Sequence, residues 1–438
     1  MKNKYKYKNV LVYGLSMSGT WCAKLLTQLK ANVYLYDDNQ AKLKDLCLKK
    51  CYILQTLNEN LISQFDFIVV SPSIEQNNQY IKLAKKFDIN IYSEIEFASL
   101  FSKNLVAVTG TNGKTTTVQL ITALLNTRHK AIACGNIGYP LSKAVINNKK
   151  YIHVAEVSSF MLENCNSFSP HVATITNISA DHLIRHKTMQ EYANLKTSIY
   201  KNLKSKDFAV INLDAKIDAP TNCKVVTYSY SRHADVRVKN GYIYLHQQKL
   251  IAINQLKLKG KHNIMNIMCA ICYAYIYKVN TKKMVQVLAN FEVEKFRIQH
   301  VAQIKGVNFV NDSKSTNISS TLASTETIKG PLILLLGGAK KGLDYTELFD
   351  NLTKRVRKVI AYGDIADDLQ QANQDKFDLH IVKDLNTAFD AAVDFTKKSD
   401  TVLLSPASAS YDQFENYIER GNFFNQKVKE YENSTKKK

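Results

Sequence analysis

Short apolar runs rich in β-branched and aromatic residues alternate along the whole chain with stretches whose apolar positions recur at helical spacing. NVLVYG (9–14), NVYLYDD (32–38) and FDFIVVSPS (65–73) form a first block of such runs. LVAVTG (105–110), YIHVAEVSS (151–159), HVATITNIS (171–179) and DFAVINLD (207–214) form a second. VNFVNDS (307–313), PLILLLGG (331–338), RKVIAYG (357–363) and DTVLLSPAS (400–408) form a third. Runs that are apolar on both sides and separated by helices predict an α/β class with parallel sheets covered by helices. Most of them end at small or polar residues, the place where doubly wound sheets bind ligands. Changes of pattern divide the chain into expected domains 1–100, 101–297 and 298–438, with no solenoid repeat and no low-complexity linker.

Length fits this division, since 438 residues exceed one ordinary core at roughly 150 residues per domain. The composition, 45% hydrophobic and 22% charged, is that of a globular protein, and no apolar run reaches the roughly 18 residues of a membrane span. The basic opening MKNKYKYKNV leads into a strand and a glycine turn, unlike a signal peptide, so a cytoplasmic location is expected. Eight cysteines without framework spacing fit reduced thiols. The one CxxC, Cys269 and Cys272, lies in the apolar run NIMNIMCAICYAYIY, which predicts a buried helix in place of a redox or zinc site. A net charge of +21 would suit nucleic acid, but the lysines are spread along the chain and read as a solvated surface.

The chemistry is concentrated in VAVTGTNGKTTTVQL, from Val106, where a strand stops at a glycine turn and a helix follows. Gly110 and Gly113 free the backbone to turn its N–H groups, with those of Thr111, Asn112 and Thr116, toward phosphate oxygens. Lys114 would neutralise the β and γ phosphates of ATP, and Thr115 would offer a hydroxyl to Mg²⁺. Val108 stands where the usual phosphate-loop pattern has its first glycine.

GTNGKTTT resembles the ATP loop of the Mur ligases, ATP-dependent amino-acid ligases that build the peptidoglycan stem peptide. CGNIGYP (134–140), EVSSFMLE (156–163), NISADHL (177–183), GKHNIMN (260–266), NDSKSTN (311–317) and LSPASASYDQFENYIERG (404–421) extend the resemblance over essentially the whole chain. They are most similar to the branch that adds D-glutamate to UDP-N-acetylmuramoyl-L-alanine. The resemblance implies a Rossmann-like N-terminal domain for the nucleotide sugar, a central P-loop ATPase domain and a Rossmann-like C-terminal domain for the amino acid. It explains why a strand–helix–strand block precedes the phosphate loop.

On this basis the UDP-substrate site is expected at Gly14, Ser16, Ser18, Gly19, Asp37, Ser71, Asn136, Ser158 and His182. Glu156 and His182 are the implied catalytic metal ligands. His186 stands four residues further, as in a helical metal pair, but only His182 is carried over. Lys196 matches the lysine that Mur ligases carry as a CO₂-derived carbamate, a long carboxylate able to ligate a second Mg²⁺. Without the resemblance it reads as one more surface lysine of a helix. Asn263 and Asn266, three apart, can share a helix face and donate to ribose or adenine. Arg297 and Asp312 match the hinge arginine and a ribose-side aspartate. Phe296 and Gln299 depart from the family at this hinge. D-Glutamate needs cations and hydroxyl donors for its two carboxylates, and Lys314, Thr316, Lys341 and Ser410 match them, with Tyr417 at the rim and Lys340 as a stand-in for Lys341.

The partners expected are therefore ATP and small-molecule substrates, with no nucleic acid, no membrane insertion and a monomeric state. Folylpolyglutamate synthase is an alternative within the same ATPase class, but its phosphate loop would lie much nearer the N-terminus than Gly110. A basic nucleic-acid-binding ATPase would explain the charge, yet no basic-aromatic RNA or DNA motif is present.

Overall fold

The computed structural model describes residues 4–40, 43, 48, 50–179, 183–215, 217–292, 296–340 and 342–436. Three sheets account for the strands. The first contains β1 (Asn9–Tyr13), β2 (Asn32–Tyr36), β3 (Cys51–Ile53), β4 (Phe67–Val70) and β5 (Asn90–Ser93), in the order β3-β2-β1-β4-β5 and parallel throughout. The order reverses between β1 and β4, and the loops after these two strands form the crevice in which such sheets bind ligands. They touch closely: a Cβ on Gly14 (φ +90) would stand 2.6 Å from the Ser71 Cβ, and one on Gly19 only 2.0 Å from the Gly14 carbonyl.

The second sheet runs β14-β13-β12-β11-β10-β9-β6-β8-β7. Its strands are β6 (Leu105–Thr109), β7 (Ala131–Gly135), β8 (Ile152–Glu156), β9 (Val172–Ile175), β10 (Phe208–Asn212), β11 (Lys224–Ser229), β12 (Val236–Lys239), β13 (Tyr242–Leu245) and β14 (Gln248–Ala252). β6 to β12 are parallel, whereas β13 and β14 turn back antiparallel and form an edge ribbon that the strand pattern did not announce. The helices Lys114–Leu125 and Lys261–Ile276 pack together on one face of this sheet. Cys269 and Cys272 lie fully buried on the second of them, as its apolar run predicts, and burial pushes the Cys269 thiol up to about 12.

These two sheets share one core. A single cluster of buried side chains runs from Val10, Leu35 and Val69 of the first sheet to Ala107, Ala155 and Ile211 of the second. Residues Met1–Val293 accordingly form one compact unit and Glu294–Lys438 another. The second unit holds β15 (Gln299–Ile304), β16 (Val307–Asn311), β17 (Leu332–Gly337), β18 (Val356–Tyr362), β19 (Leu379–Ile381) and β20 (Thr401–Ala407). Their order is β15-β16-β20-β17-β18-β19, parallel except for β15 on the edge.

The helix Glu94–Ser99, between the first two sheets in sequence, brings two carboxylates into the shared core. Glu96 accepts from the Ser167 N–H and hydroxyl, both at 2.7 Å, and Glu94 accepts from the Ser142 N–H at 2.6 Å. Glu94 Oε2 and Ser142 Oγ, both buried, have no hydrogen-bond partner. Burial therefore raises the Glu94 carboxyl to about 7, despite the stabilising bond from Ser142.

A raised folded-state value means that the stability associated with Glu94 is fully present below its unfolded value and lost as pH rises through about 7. Glu94→Gln keeps the acceptor for Ser142 and removes the titration. The variant is expected to match the parent at pH 4 and to exceed it at pH 8 by roughly 3 kcal/mol, as read from denaturant melts at the two pH values. A variant less stable than the parent at pH 8 would show that Glu94 is ionised and satisfied in the fold.

Candidate active site

β6 delivers the chain to Gly110 at the edge of a crowded loop. A Cβ on Gly110 (φ +142) would lie 2.0 Å from Thr176 Oγ1, and one on Gly113 (φ +81) 2.4 Å from Asn266 Oδ1. Both positions thus need glycine for backbone angle and for space. The loop is strapped to the segment after β9: the Thr111 N–H donates to the Asn177 carbonyl at 2.9 Å, the Asn112 N–H to Asn177 Oδ1 at 3.0 Å, and Thr176 Oγ1 to the Asn112 carbonyl at 2.7 Å. Gly113 then caps the helix Lys114–Leu125, whose first turn has no acidic residue to offset the positive end of its dipole. An anion-binding N-terminus results.

Five of the candidate side chains gather there. Lys114 Nζ donates to the carbonyls of Gly110 and Thr111 at 2.9 and 2.8 Å, curled over its own loop. The Thr115 hydroxyl donates to Glu156 Oε2 at 2.7 Å, and Asn136 Nδ2 donates to Oε1 of the same carboxylate at 2.9 Å, at the end of β8. Lys196 is 1% exposed and its Nζ donates to the Gly110 carbonyl at 2.9 Å, with the Tyr192 ring 4.6 Å away. The surface position that Lys196 takes from sequence alone is therefore corrected: the helix Met189–Thr197 turns this residue inward onto the phosphate loop. Tyr192, whose hydroxyl lies 3.2 Å from Thr111 Oγ1, was not signalled by any motif.

Asn266 is buried against Gly113, whereas Asn263 donates its amide to the Lys259 carbonyl at 2.9 Å. Thr116 is half-buried in the first turn of the helix. Ser158 caps the helix Ser159–Leu162. His182 lies outside the described residues. His186 Nε2 lies 2.9 Å from Ser159 Oγ, and the ring stands 3.9 Å from Glu163.

At the first sheet, Ser16 Oγ and Ser71 Oγ are 3.1 Å apart, and Ser18 is half-buried in the first turn of the helix Met17–Gln28. Asp37 is 5% exposed and accepts from the N–H groups of Leu15 (2.7 Å) and Asn39 (2.9 Å). In this arrangement it braces the loop after β1. Arg185, which no motif reading singled out, grips Glu163 with two bonds of 2.8 and 2.7 Å and reaches the Ile74 carbonyl at 3.1 Å. It links the loop after β4 to the helix beside Ser158.

In the second unit Arg297 is exposed between two left-handed residues, Phe296 (φ +69) and Ile298 (φ +44). Such a turn is strained for a β-branched residue and needs outside support. Asp312 supplies it, accepting from the Ile298 N–H at 3.1 Å, and the Lys314 N–H donates to the Phe296 carbonyl at 3.0 Å. The other oxygen of Asp312 accepts from Ser324 and Ser405 at 2.6 and 2.8 Å, and the residue is 1% exposed. Asp312 thus forms an internal brace for the Arg297 turn, and burial raises its carboxyl above the usual range. Lys314 and Thr316 are half-buried on the loop after β16, Ser410 is buried after β20, and Tyr417 opens the last helix. Lys341 lies outside the described residues. Lys340, its stand-in, pairs with Asp368 at 2.9 Å on the surface.

A phosphate loop on a mainly parallel sheet, followed by a doubly wound unit with a lysine-bearing loop, fits a P-loop ATP-dependent enzyme, and domain comparisons specify which. Residues 8–93 match the family described as Mur ligase MurD-like, N-terminal domain; residues 108–274 match the Mur ligase middle domain; residues 296–408 match the Mur ligase, glutamate ligase domain. The chain belongs to the Mur ligase family. It is 35% identical to the UDP-N-acetylmuramoylalanine--D-glutamate ligase of Caldanaerobacter subterraneus, over 97% of this chain and 98% of that protein. It is 33% identical to the enzyme of the same name from Clostridioides difficile, again over 97% and 98%. Among solved structures, a murein peptide ligase from Psychrobacter arcticus is 16% identical, covering 95% of this chain and 98% of that one, with a TM-score of 0.48.

Anions bound on this loop would lose the Lys114 ammonium in a Lys114→Ala variant. Lys114→Ala is expected to fold normally and to lose about a thousandfold or more in ATP turnover. Near-parental turnover in a phosphate-release assay would place the phosphates elsewhere.

Proposed function

We propose that this protein joins D-glutamate to UDP-N-acetylmuramoyl-L-alanine in the cytoplasm, using ATP and releasing ADP and phosphate. The observation that carries the reading is the convergence of Lys114, the Thr115–Glu156 pair and the buried Lys196 on one phosphate loop. The carboxylate of the alanyl group attacks the γ-phosphorus of ATP, the bond to the β-phosphate oxygen breaks, and ADP leaves an acyl phosphate. The neutral amine of D-glutamate then attacks the acyl carbon, phosphate departs, and the nitrogen loses a proton to give the amide. Little covalent work falls to the protein. Its tasks are to align two anions and to neutralise the charge that develops between them.

The donor set fits Mg²⁺. Glu156 and the Thr115 hydroxyl are hard oxygen ligands, and Mg²⁺ bound beside phosphates takes only one or two carboxylates from the protein. Glu156, Thr115 and His182 would hold the ion, which supplies charge neutralisation to the γ-phosphate. The Lys196 amine would add CO₂ and release a proton, and the resulting carbamate would offer a second ion its oxygens. Lys114 and the amides of Gly110–Thr116 hold the phosphates, with Asn263, Asn266, Arg297 and Asp312 assigned to the rest of the nucleotide.

Gly14, Ser16, Ser18, Gly19, Asp37, Ser71, Asn136, Ser158 and His182 are assigned to the UDP substrate, and Lys314, Thr316, Lys341, Ser410 and Tyr417 to the amino acid. The corresponding functional segments are 1–100, 101–297 and 298–438, and the protein acts as a monomer.

Phosphate release with UDP-N-acetylmuramoyl-L-alanine and a panel of amino acids tests the reading: D-glutamate should be used, and D-alanine and L-lysine should not. Equal release with L-lysine or a diaminopimelate would assign the chain to another amino acid. Lys196→Ala should be inactive and partly restored by short carboxylic acids, which replace the missing carbamate; full activity without them would return Lys196 to a structural role. Lys314→Ala should raise the KM for D-glutamate by about a hundredfold, as for loss of one partner of a desolvated pair, and the KM for ATP far less. Equal effects on both would remove Lys314 from the amino-acid pocket.

A further inference from the structure

Among the described residues Arg420 heads the fully buried side chains by volume, at 0% exposure. It lies one turn into the helix Tyr417–Lys436. Its Nε donates to Ser313 Oγ at 3.1 Å, its Nη2 to the carbonyls of Ser313 and Ser408 at 3.0 Å each, and its Nη1 reaches the Gly337 carbonyl at 3.5 Å. All of these oxygens are neutral. Tyr362 and Asp412 are the ionisable groups that act on the guanidinium. A desolvated cation without a hydrogen-bonded carboxylate costs several kcal/mol, so packing alone is a poor account of it: an apolar side chain would fill the same volume at no such penalty.

The acceptors show what the charge does. Ser313 immediately precedes Lys314, Ser408 stands two residues before Ser410, and Gly337 opens the turn that leads to Lys340. One planar fork therefore ties together the ends of β16, β17 and β20, the three loops that present the amino-acid residues. The tie continues outward, because the peptide whose carbonyl binds Arg420 turns its Lys314 N–H to the Phe296 carbonyl beside Arg297. The Phe296 ring lies over Gly421, where a Cβ would come within 2.3 Å of it. Ser313 adds a bond from its hydroxyl to the Tyr417 carbonyl at 2.8 Å.

We propose that Arg420 is a positioning residue for the amino-acid substrate, holding the loops of Lys314, Lys340 and Ser410 in one arrangement from behind. The inference rests on the ligase reading above. A lysine at 420 keeps the charge but has no fork to reach three carbonyls at once.

Kinetics of Arg420→Lys and Ser313→Ala decide it, run with D-glutamate or, if the parent does not use it, with the panel amino acid that the parent does use. A parent inactive with D-glutamate would thus refute the substrate assignment and leave Arg420 still testable. Arg420→Lys should raise the KM for the amino acid about tenfold or more, and Ser313→Ala about threefold, as expected for loss of charge-assisted and neutral hydrogen bonds. The KM for the UDP substrate should stay within about twofold, since that substrate is assigned to the other unit. An unchanged amino-acid KM in both variants, or a parallel rise of both KM values, would overturn the proposal. If Arg420→Lys does not fold, Ser313→Ala is judged by the same criterion.

Discussion

The crowding at Gly110 and Gly113 governs the site. Thr176 and Asn266 occupy the space where side chains would project, so the loop between these glycines is pressed against the end of β9 on one side and the helix Lys261–Ile276 on the other. Its amides are thereby fixed before any ligand arrives, and Lys114, Thr115 and Lys196 are fixed with them. Preorganisation of this kind is what electrostatic stabilisation of a transferring phosphoryl group requires, because dipoles that must reorient on binding contribute less.

The second unit meets a similar demand by a different route. Its loops are held by buried polar groups whose partners are nearly all internal. Asp312 braces the strained turn that exposes Arg297, and Arg420 braces the loop that carries Lys314. Each is a charge removed from water, and each holds backbone that would otherwise relax. The two are neighbours in the same network, joined through the segment 311–314, so the arginine turn and the lysine loop share one scaffold.

A second pair of buried ionisable groups has no evident part in chemistry. Glu94 and Glu96 tie the helix Glu94–Ser99 to segments of the second sheet, and both keep one oxygen without a hydrogen-bond partner. They lie within the core that fuses the first two sheets into one unit. The fold thus holds its first sheet to the sheet of the phosphate loop at some expense in the ionisation of Glu94, which makes this region sensitive to pH.

Much was legible in the sequence because the signals are local. Strand–turn–helix order at 105–125, the glycines at 110 and 113 and the apolar helix around Cys269 each depend on residues a few positions apart, and periodicity reports them directly. So does the division into three sheet-forming blocks. The ribbon β12–β14 escaped because short, mixed-polarity strands at a sheet edge carry little pattern. Tertiary structure alone decided which distant groups meet: that Lys196 turns inward to Gly110, that Tyr192 meets Thr111, that Asp312 is closed off by Ser324 and Ser405, and that Arg420 reaches Ser313 across 107 positions. The reason is physical. A side chain's propensity and spacing set its element and its face, but the partner that offsets burial of its charge is chosen by how whole sheets and helices pack, and that choice leaves no local trace.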